Sequence, residues 1–316
     1  MCNIEEPYLE ILKKVLNEGE ERPDRTGTGT RSMFGLQTRF DISSRVPCLT
    51  SKFVPWKMII KELLWFLRGD TDVIKLQEQN VHIWDGNSSR EFLDARGLKD
   101  YREGDIGPGY GFQWRHFGAE YHGCRGRGGD IPSTSMYDGK GIDQISGLIE
   151  NLKKDPFSRR HFISAWNPKD LNKMALPPCH VSAQFYVSRV KTKSVEENTE
   201  YDESKDKMIL SCHLYQRSVD LFLGFPFNIL SYTALTYLLC KLCDFTPGKL
   251  IVSMGDSHIY NDHIEQSKCL LERPLFDSPI LEISDTVKEK TIDELCIDDF
   301  ALIDYNHSGK LLGRMS

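Results

Sequence analysis

The segment at residues 56–68, WKMIIKELLWFLR, constrains the fold most, because it has helical character and is apolar on nearly every side. A helix that is hydrophobic all round is typically buried, so the rest of the chain must surround it. The 316 residues can bury a core of this size without disulfides or metals. Glu62, an ionisable residue within this helix, is therefore notable.

Helical and strand patterns are intermixed along the remainder of the chain. Apolar and polar side chains alternate, as in half-buried strands, at residues 33–42, 180–187 and 208–215. Helical periodicity occurs at residues 6–19, 142–154 and 230–243. This mixture without regular βαβ units favours an α+β fold over a doubly wound sheet, and the length allows one large domain or two.

Three polar stretches predict irregular structure. Long loops are predicted at 85–106 and 118–142, which are rich in Gly, Asp, Ser and Arg. The charged stretch at 188–207 lies between two predicted strands, and we interpret it as a surface hairpin insertion.

Charge and cysteine content restrict the function classes. The net charge of −6 does not suggest a dedicated nucleic-acid binder and mildly favours a small phosphorylated ligand. Nine scattered cysteines indicate a reducing compartment, so we expect a cytoplasmic or nuclear protein. Cys240 and Cys243 lie in an apolar helical run and are interpreted as buried structural thiols. The N-terminus has no signal-peptide core, and no apolar run is long enough to span a membrane.

Cys179 is a candidate nucleophile in the segment MALPPCHVSAQFYV. The two prolines fix the approach of the chain, so the thiol is expected at the mouth of the strand that follows. A thiolate there could attack a bound substrate. A lone cysteine is more often inert, and only the neighbouring motifs favour the functional interpretation.

Four arginines could bind a phosphate group. Arg25 lies in DRTGTGT, Arg159 and Arg160 lie in DPFSRRHF, and Arg217 lies in YQRSVD. A guanidinium can bind phosphate through two parallel hydrogen bonds, although a single arginine is more often a surface residue. None of these segments is a nucleoside-triphosphate loop of the G-x-x-x-x-G-K-[ST] type.

Two polar groups could recognise a nucleoside. The amide of Asn228 in LGFPFNIL matches the hydrogen-bonding edge of uracil, and the alternative is an N-cap before Ile229. Asp256, His258 and Tyr260 alternate in GDSHIY and are expected on one face of an extended segment. Without an HExxH motif or a supporting cysteine set, we expect no metal.

The chain resembles the thymidylate synthase family, whose members convert dUMP to dTMP. The matching segments run along nearly the whole chain: DRTGTGT, ELLWFLRGDT, HIWDGNSSREFL, YGFQWRHFGAEY, SRRHFISAWNP, MALPPCH, QFYV, LYQRS, LGFPFNI and GDSHIY. The resemblance implies a single α+β catalytic domain over residues 1–316 and 5,10-methylenetetrahydrofolate as cosubstrate. Since no second catalytic domain is recognised, we expect no fused dihydrofolate reductase.

The resemblance further implies a role for each matching residue. Cys179 would add to C6 of the uracil ring, Glu62 would organise proton transfers at O4, Tyr110 would help to remove the C5 proton, and His180 would join the water network. The expected dUMP-binding residues are Arg25, Arg159, Arg160, Gln216, Arg217, Ser218, Asn228, His258 and Tyr260. The expected folate-binding residues are Trp84, Asp220, Leu223, Gly224 and Phe227. Arg159 and Arg160 would come from the second subunit of a homodimer, and RNA binding is expected only as a side activity.

The sequence departs from the family pattern at a few positions. Phe53 stands where a basic residue is usual, Gly109 replaces an aliphatic residue, and Leu230 replaces a small one. The C-terminus, YNHSGKLLGRMS, lacks the final apolar residue that helps to close a lid over the folate. Two alternatives therefore remain at this stage: a dUMP hydroxymethylase, or a nucleotide-binding or RNA-binding relative with weak turnover.

Overall fold

The computed structural model describes residues 2–24, 27–124, 136–190 and 206–313. Its α-helices are α1 (Glu6–Glu18), α2 (Trp56–Leu67), α3 (Ile74–Gln77), α4 (Asp85–Ser88), α5 (Arg90–Ala95), α6 (Tyr110–His116), α7 (Gln144–Lys154), α8 (Gly224–Cys243) and α9 (Ile264–Leu271). Its strands are β1 (Glu20–Arg22), β2 (Thr30–Asp41), β3 (Phe162–Ser164), β4 (His180–Val190), β5 (Lys207–Asp220), β6 (Thr246–Tyr260), β7 (Ile280–Ile283) and β8 (Phe300–Ile303). Short 3₁₀ turns span Leu171–Lys173, Asn261–His263, Asp285–Glu289, Ile292–Glu294 and Ile297–Asp299.

A mixed sheet organises the described residues. Its strand order is β1-β2-β6-β5-β4-β3, and β7 pairs separately with β8. β5 and β6 are parallel, whereas the other neighbours in the large sheet are antiparallel. This arrangement confirms the predicted α+β class, because the one parallel pair does not generate a doubly wound sheet.

One face of the sheet is covered by helices and the other is open. Side chains alternate along β4, so that Phe185 and Val187 are buried while Tyr186 is 64% exposed. Helix α8 packs on β5 and β6, and α2 packs on α8 in turn. The apolar segment at 56–68 is thus buried in the core, as its composition predicts.

The boundaries of several elements differ from the sequence prediction. Helix α8 starts at Gly224 rather than at residue 230, and the Asp220 carboxylate accepts the backbone N–H groups of Phe222 and Leu223 in the turn that precedes it. The stretch at 85–106 is not only loop, since the Ser89 hydroxyl caps the short helix α5. Helix α6 has no counterpart in the sequence prediction.

Two predictions about organisation stay untested. Residues 191–205 lie outside the described part of the chain, so the hairpin insertion at 188–207 remains a prediction. The assignment of residues 1–316 to a single domain also remains a prediction. Among the described residues, no helix is both long enough and apolar enough to cross a membrane.

Candidate active site

Cys179 lies immediately before β4, at the wall of a cavity of about 360 Å³. Its backbone N–H donates to the Tyr110 hydroxyl at 2.7 Å, and its carbonyl accepts the Arg217 N–H at 2.9 Å. The backbone is therefore held between α6 and β5, while the side chain is partly accessible. This agrees with the prediction that the thiol stands at the mouth of the strand.

The Arg217 guanidinium is fixed beside the thiol. It donates to the carbonyl of Pro178 at 2.8 Å and to the carbonyl of Pro177 at 2.9 Å. Its Nη2 atom lies 3.8 Å from the Cys179 sulfur. A cation this close to a cysteine favours the thiolate over the thiol, and the two prolines hold the guanidinium in place.

Glu62 extends from α2 into the same cavity. Its Oε1 accepts the Trp84 indole N–H at 2.7 Å. Burial raises the pKa of Glu62 to about 7, although the bond from Trp84 opposes this shift. The carboxyl can therefore gain or lose a proton near neutral pH, as a general acid or base must.

We expect the titration of Glu62 to appear in the stability of the protein. The folded protein keeps a proton on Glu62 up to about pH 7, whereas an unfolded chain releases it near 4.5. This contribution to stability is complete below about pH 4.5 and is lost as the pH rises through about 7. Thermal melting should show a smaller decline between about pH 5 and 8 for Glu62→Gln than for the wild type. Parallel profiles of melting temperature against pH for Glu62→Gln and the wild type would contradict this expectation. Glu91→Gln, at an exposed site, is the control.

A buried group of rings lies beside the thiol. The His180 imidazole stacks on Tyr110 with centroids 3.8 Å apart and an interplanar angle of 12°. Its Nδ1 lies 2.9 Å from the Tyr232 hydroxyl. Burial lowers the pKa of His180 to about 3 and raises the pKa of Tyr110 well above its ordinary value. Both rings are therefore neutral at physiological pH, and both can exchange hydrogen bonds without carrying charge.

The opposite wall is formed by the start of α8. Leu223, Gly224, Phe227 and Asn228 line the cavity together with the Asp220 carboxylate. The Asn228 side-chain oxygen accepts the Gln216 amide at 2.8 Å. Asn228 lies inside α8, so the alternative interpretation as an N-cap is wrong.

The end of β6 adds a polar group next to this wall. The His258 Nδ1 lies 3.1 Å from the Asp256 carboxylate, which also accepts the Ser32 hydroxyl. The rings of His258 and Tyr260 meet edge to face at 5.2 Å. In the register of the parallel strands, Asp220 pairs with His258 and Ser218 pairs with Asp256. The predicted GDSHIY group therefore lies at the same end of the sheet as Arg217.

The predicted phosphate-binding residues lie on separate segments of the chain. Arg159 and Arg160 are exposed in the turn before β3, and neither is among the described residues that line the cavity. Arg25 lies outside the described residues. Arg217 and Ser218 are the members of the predicted phosphate group on β5 beside Cys179.

Several residues of the cavity were missed by sequence reasoning, and the described residues suggest no metal centre. The missed lining residues are Ile83, Asn87, Leu176 and Gly313. Ile83 and Asn87 lie within the recognised segment HIWDGNSSREFL, but only the fold turns them toward the cavity. In the ranges that the structure describes, no group of three His, Cys, Asp or Glu side chains could hold a metal ion.

Known proteins match this chain along nearly its whole length. A model of the thymidylate synthase family matches residues 6–316. Thymidylate synthase of Saccharomyces cerevisiae is 49% identical over 314 residues, which cover 99% of this chain and 97% of that protein. Thymidylate synthase of Candida albicans is 48% identical, with 99% and 97% covered. The bifunctional dihydrofolate reductase-thymidylate synthase of Zea mays is 44% identical over 98% of this chain and 54% of that protein.

Proposed function

The chain belongs to the thymidylate synthase family, and from this premise we propose that it methylates dUMP to dTMP with 5,10-methylenetetrahydrofolate. The observation that carries the proposal is the Cys179 sulfur at the cavity wall with the Arg217 guanidinium 3.8 Å away. A hydroxymethylase is not favoured, since the curated relatives carry the synthase name.

Cys179 acts as the nucleophile in this proposal. Its thiolate bonds to C6 of the uracil ring, and the electron pair of the C5–C6 double bond moves toward O4. C5 thereby becomes nucleophilic toward the one-carbon unit, so that one difficult substitution is divided into easier steps. The fixed guanidinium of Arg217 supports this role, because it holds negative charge on the sulfur before attack.

Glu62, Tyr110 and His180 manage protons around the ring. Glu62, with a pKa of about 7, supplies a proton toward O4 and takes it back as the adduct collapses. The Tyr110 hydroxyl accepts the Cys179 N–H, so the neutral phenol lies beside the nucleophile, where it helps to remove the C5 proton through hydrogen bonding. Neutral His180 holds Tyr110 by stacking and completes the hydrogen-bonded network through Tyr232.

The nucleotide is recognised at three points. Arg217 and Ser218 bind the phosphate, with Arg25 as a further contributor from the sequence. Asn228 reads the uracil edge, and the bond from Gln216 fixes the orientation of its amide. His258 and Tyr260 bind the ribose hydroxyl.

The folate cosubstrate fits the remaining part of the cavity. Trp84, Leu223 and Phe227 offer apolar walls to its flat ring, and Gly224 allows close approach. The Asp220 carboxylate offers acceptors to the N–H groups of the pterin. The folate supplies the one-carbon unit and the hydride, so no nicotinamide cofactor is required.

We also propose that two copies of the chain form a homodimer through the open face of the sheet. Tyr186 and Tyr215 are 64% and 43% exposed on this face, and Tyr186 lines a depression of about 660 Å³. Exposed aromatic patches of this kind mark interaction sites. The exposed Arg159 and Arg160 adjoin β3, at the edge of the same sheet, from which they reach the partner's nucleotide.

Incubation of the purified protein with dUMP and methylenetetrahydrofolate tests the activity. We expect dTMP and dihydrofolate in equal amounts. The rise in near-ultraviolet absorbance that accompanies dihydrofolate formation measures the reaction. Release of the C5 hydrogen of dUMP without dihydrofolate would identify a hydroxymethylase instead. Binding of dUMP without C5 hydrogen release would indicate a nucleotide-binding relative, and both outcomes would overturn the proposal.

A further inference from the structure

Residues 305–313, the C-terminal segment, lie against residues 49–54, the 49–54 loop. The Ser308 N–H donates to the Thr50 carbonyl at 2.8 Å, and the Phe53 N–H donates to the Gly309 carbonyl at 2.9 Å. The Tyr305 hydroxyl donates to the Leu49 carbonyl at 2.8 Å. These hydrogen bonds connect two segments that are about 250 residues apart in sequence.

Arg273, which follows α9, joins these two segments. Its Nη1 donates to the Ser51 carbonyl at 3.2 Å and to the Gly309 carbonyl at 3.1 Å. Its Nη2 donates to the Lys310 carbonyl at 3.3 Å. One guanidinium therefore binds three backbone acceptors, which restricts the C-terminal segment more strongly than a flexible amine would.

The C-terminal segment then reaches the cavity at Gly313. A Cβ atom on Gly313 would lie 2.7 Å from Cε1 of Phe222 and 2.8 Å from Nε2 of His263, so the backbone is in close contact with both rings. The 49–54 loop also contacts Phe222. Lys52 Nζ donates to the Phe222 carbonyl and lies 4.1 Å from the centre of its ring.

The side chain of Phe53 adds a second contact between loop and segment. Its ring centroid lies 5.0 Å from that of His307, and the Lys310 amine lies 6.0 Å above it. Phe53 is the position where the sequence departs from the basic residue usual in the family. In this chain the contact between Phe53 and His307 adds to the hydrogen bonds by which Arg273 joins the C-terminal segment to the 49–54 loop.

We propose that Arg273 is a positioning residue for the folate cosubstrate. Arg273 is not among the described residues that line the cavity. By tying the C-terminal segment to the 49–54 loop, it holds Gly313 against Phe222, the neighbour of the cavity residue Leu223. The inference rests on the proposed function for its kinetic consequence, whereas the tethering of the segment can be measured without turnover.

The decisive variants are Arg273→Gln, which removes the charge, and Arg273→Lys, which keeps it. Loss of charged hydrogen bonds should raise the KM for methylenetetrahydrofolate by about 10-fold or more, with a change below about 3-fold for dUMP. Arg273→Lys should show a smaller increase in the KM for methylenetetrahydrofolate than Arg273→Gln. Gly313→Ala leaves Arg273 unchanged. It should also raise the KM for methylenetetrahydrofolate more than the KM for dUMP, because its Cβ displaces the C-terminal segment from Phe222 and His263.

Arg45→Gln is the matched control, because the half-buried Arg45 donates to the Ser278 carbonyl and makes no hydrogen bond to the 49–54 loop or the C-terminal segment among the described residues. It should leave both KM values unchanged. Carboxypeptidase should remove the C-terminal residues faster from Arg273→Gln than from Arg45→Gln at equal thermal stability. Equal digestion rates, or equal increases in both KM values, would overturn the inference. Absence of turnover in the wild type with faster digestion of Arg273→Gln would reject the proposed function and retain the tether.

Discussion

Cys179→Ala is expected to abolish dihydrofolate formation, with a fall in kcat of about 10⁴-fold or more. The variant loses the atom that bonds to C6 in the proposed mechanism, while Arg217 should keep its hydrogen bonds to Pro177 and Pro178. Affinity for dUMP should therefore change by less than about 10-fold. Kinetics at saturating folate and equilibrium binding of dUMP measure the two quantities separately.

Cys269→Ala is the matched control, because Cys269 is an exposed cysteine on α9, outside the group of residues that line the cavity. It should retain wild-type turnover. The Cys179→Ser variant tests the chemistry more narrowly, since a hydroxyl at the same place is a much weaker nucleophile than a thiolate. Substantial dihydrofolate formation by Cys179→Ala would refute the covalent mechanism.

The double variant Arg159→Ala/Arg160→Ala is expected to lose about 10²-fold to 10⁴-fold in kcat/KM, since two charged hydrogen bonds to phosphate are removed. Mixing this variant with Cys179→Ala should restore part of the activity, which is the second large effect. When this variant and Cys179→Ala are dissociated and reassembled together, the mixed dimer has one site with an intact cysteine and intact arginines. A statistical mixture should regain about one quarter of wild-type activity.

The mixing experiment distinguishes the origin of the arginines. Arginines that act within their own chain would leave the mixture as inactive as its components. The control mixes Cys179→Ala with Cys179→Ser, in which no site can be completed whatever the arrangement of the subunits. Activity in that control would show that the recovery does not come from shared sites.

Local patterns predicted most of the secondary structure, and their failures share a physical cause. The alternation at 180–187 and the apolar run at 56–68 produce β4 and α2, because side-chain periodicity determines which face is buried. The start of α8 was missed by six residues, because the segment GFPFN carries a proline and a glycine that weaken any helical signal. The Asp220 side chain fixes the turn just before the helix through two backbone N–H groups, and periodicity does not describe such a turn.

The candidate site was likewise predicted only in part by local sequence patterns. The segment MALPPCH already predicted a thiol held rigidly before a strand, and the YQRS segment suggested an anion-binding arginine. Neither segment indicates that Arg217 uses the carbonyls of both prolines to stand beside the sulfur. That contact depends on the pairing of β4 with β5, which brings Gln216 opposite His180.

By itself, the sequence determined the α+β class, the family and the identity of the candidate nucleophile, because each is encoded in residue type, spacing and periodicity along the chain. Only the tertiary structure decided the pKa of Glu62, the neutral state of His180 and the placement of Gly313 against Phe222 and His263. Desolvation and close packing depend on atoms supplied by distant segments. Such properties appear when α2, α6, α8 and the C-terminal segment meet around one cavity, and no local pattern contains them.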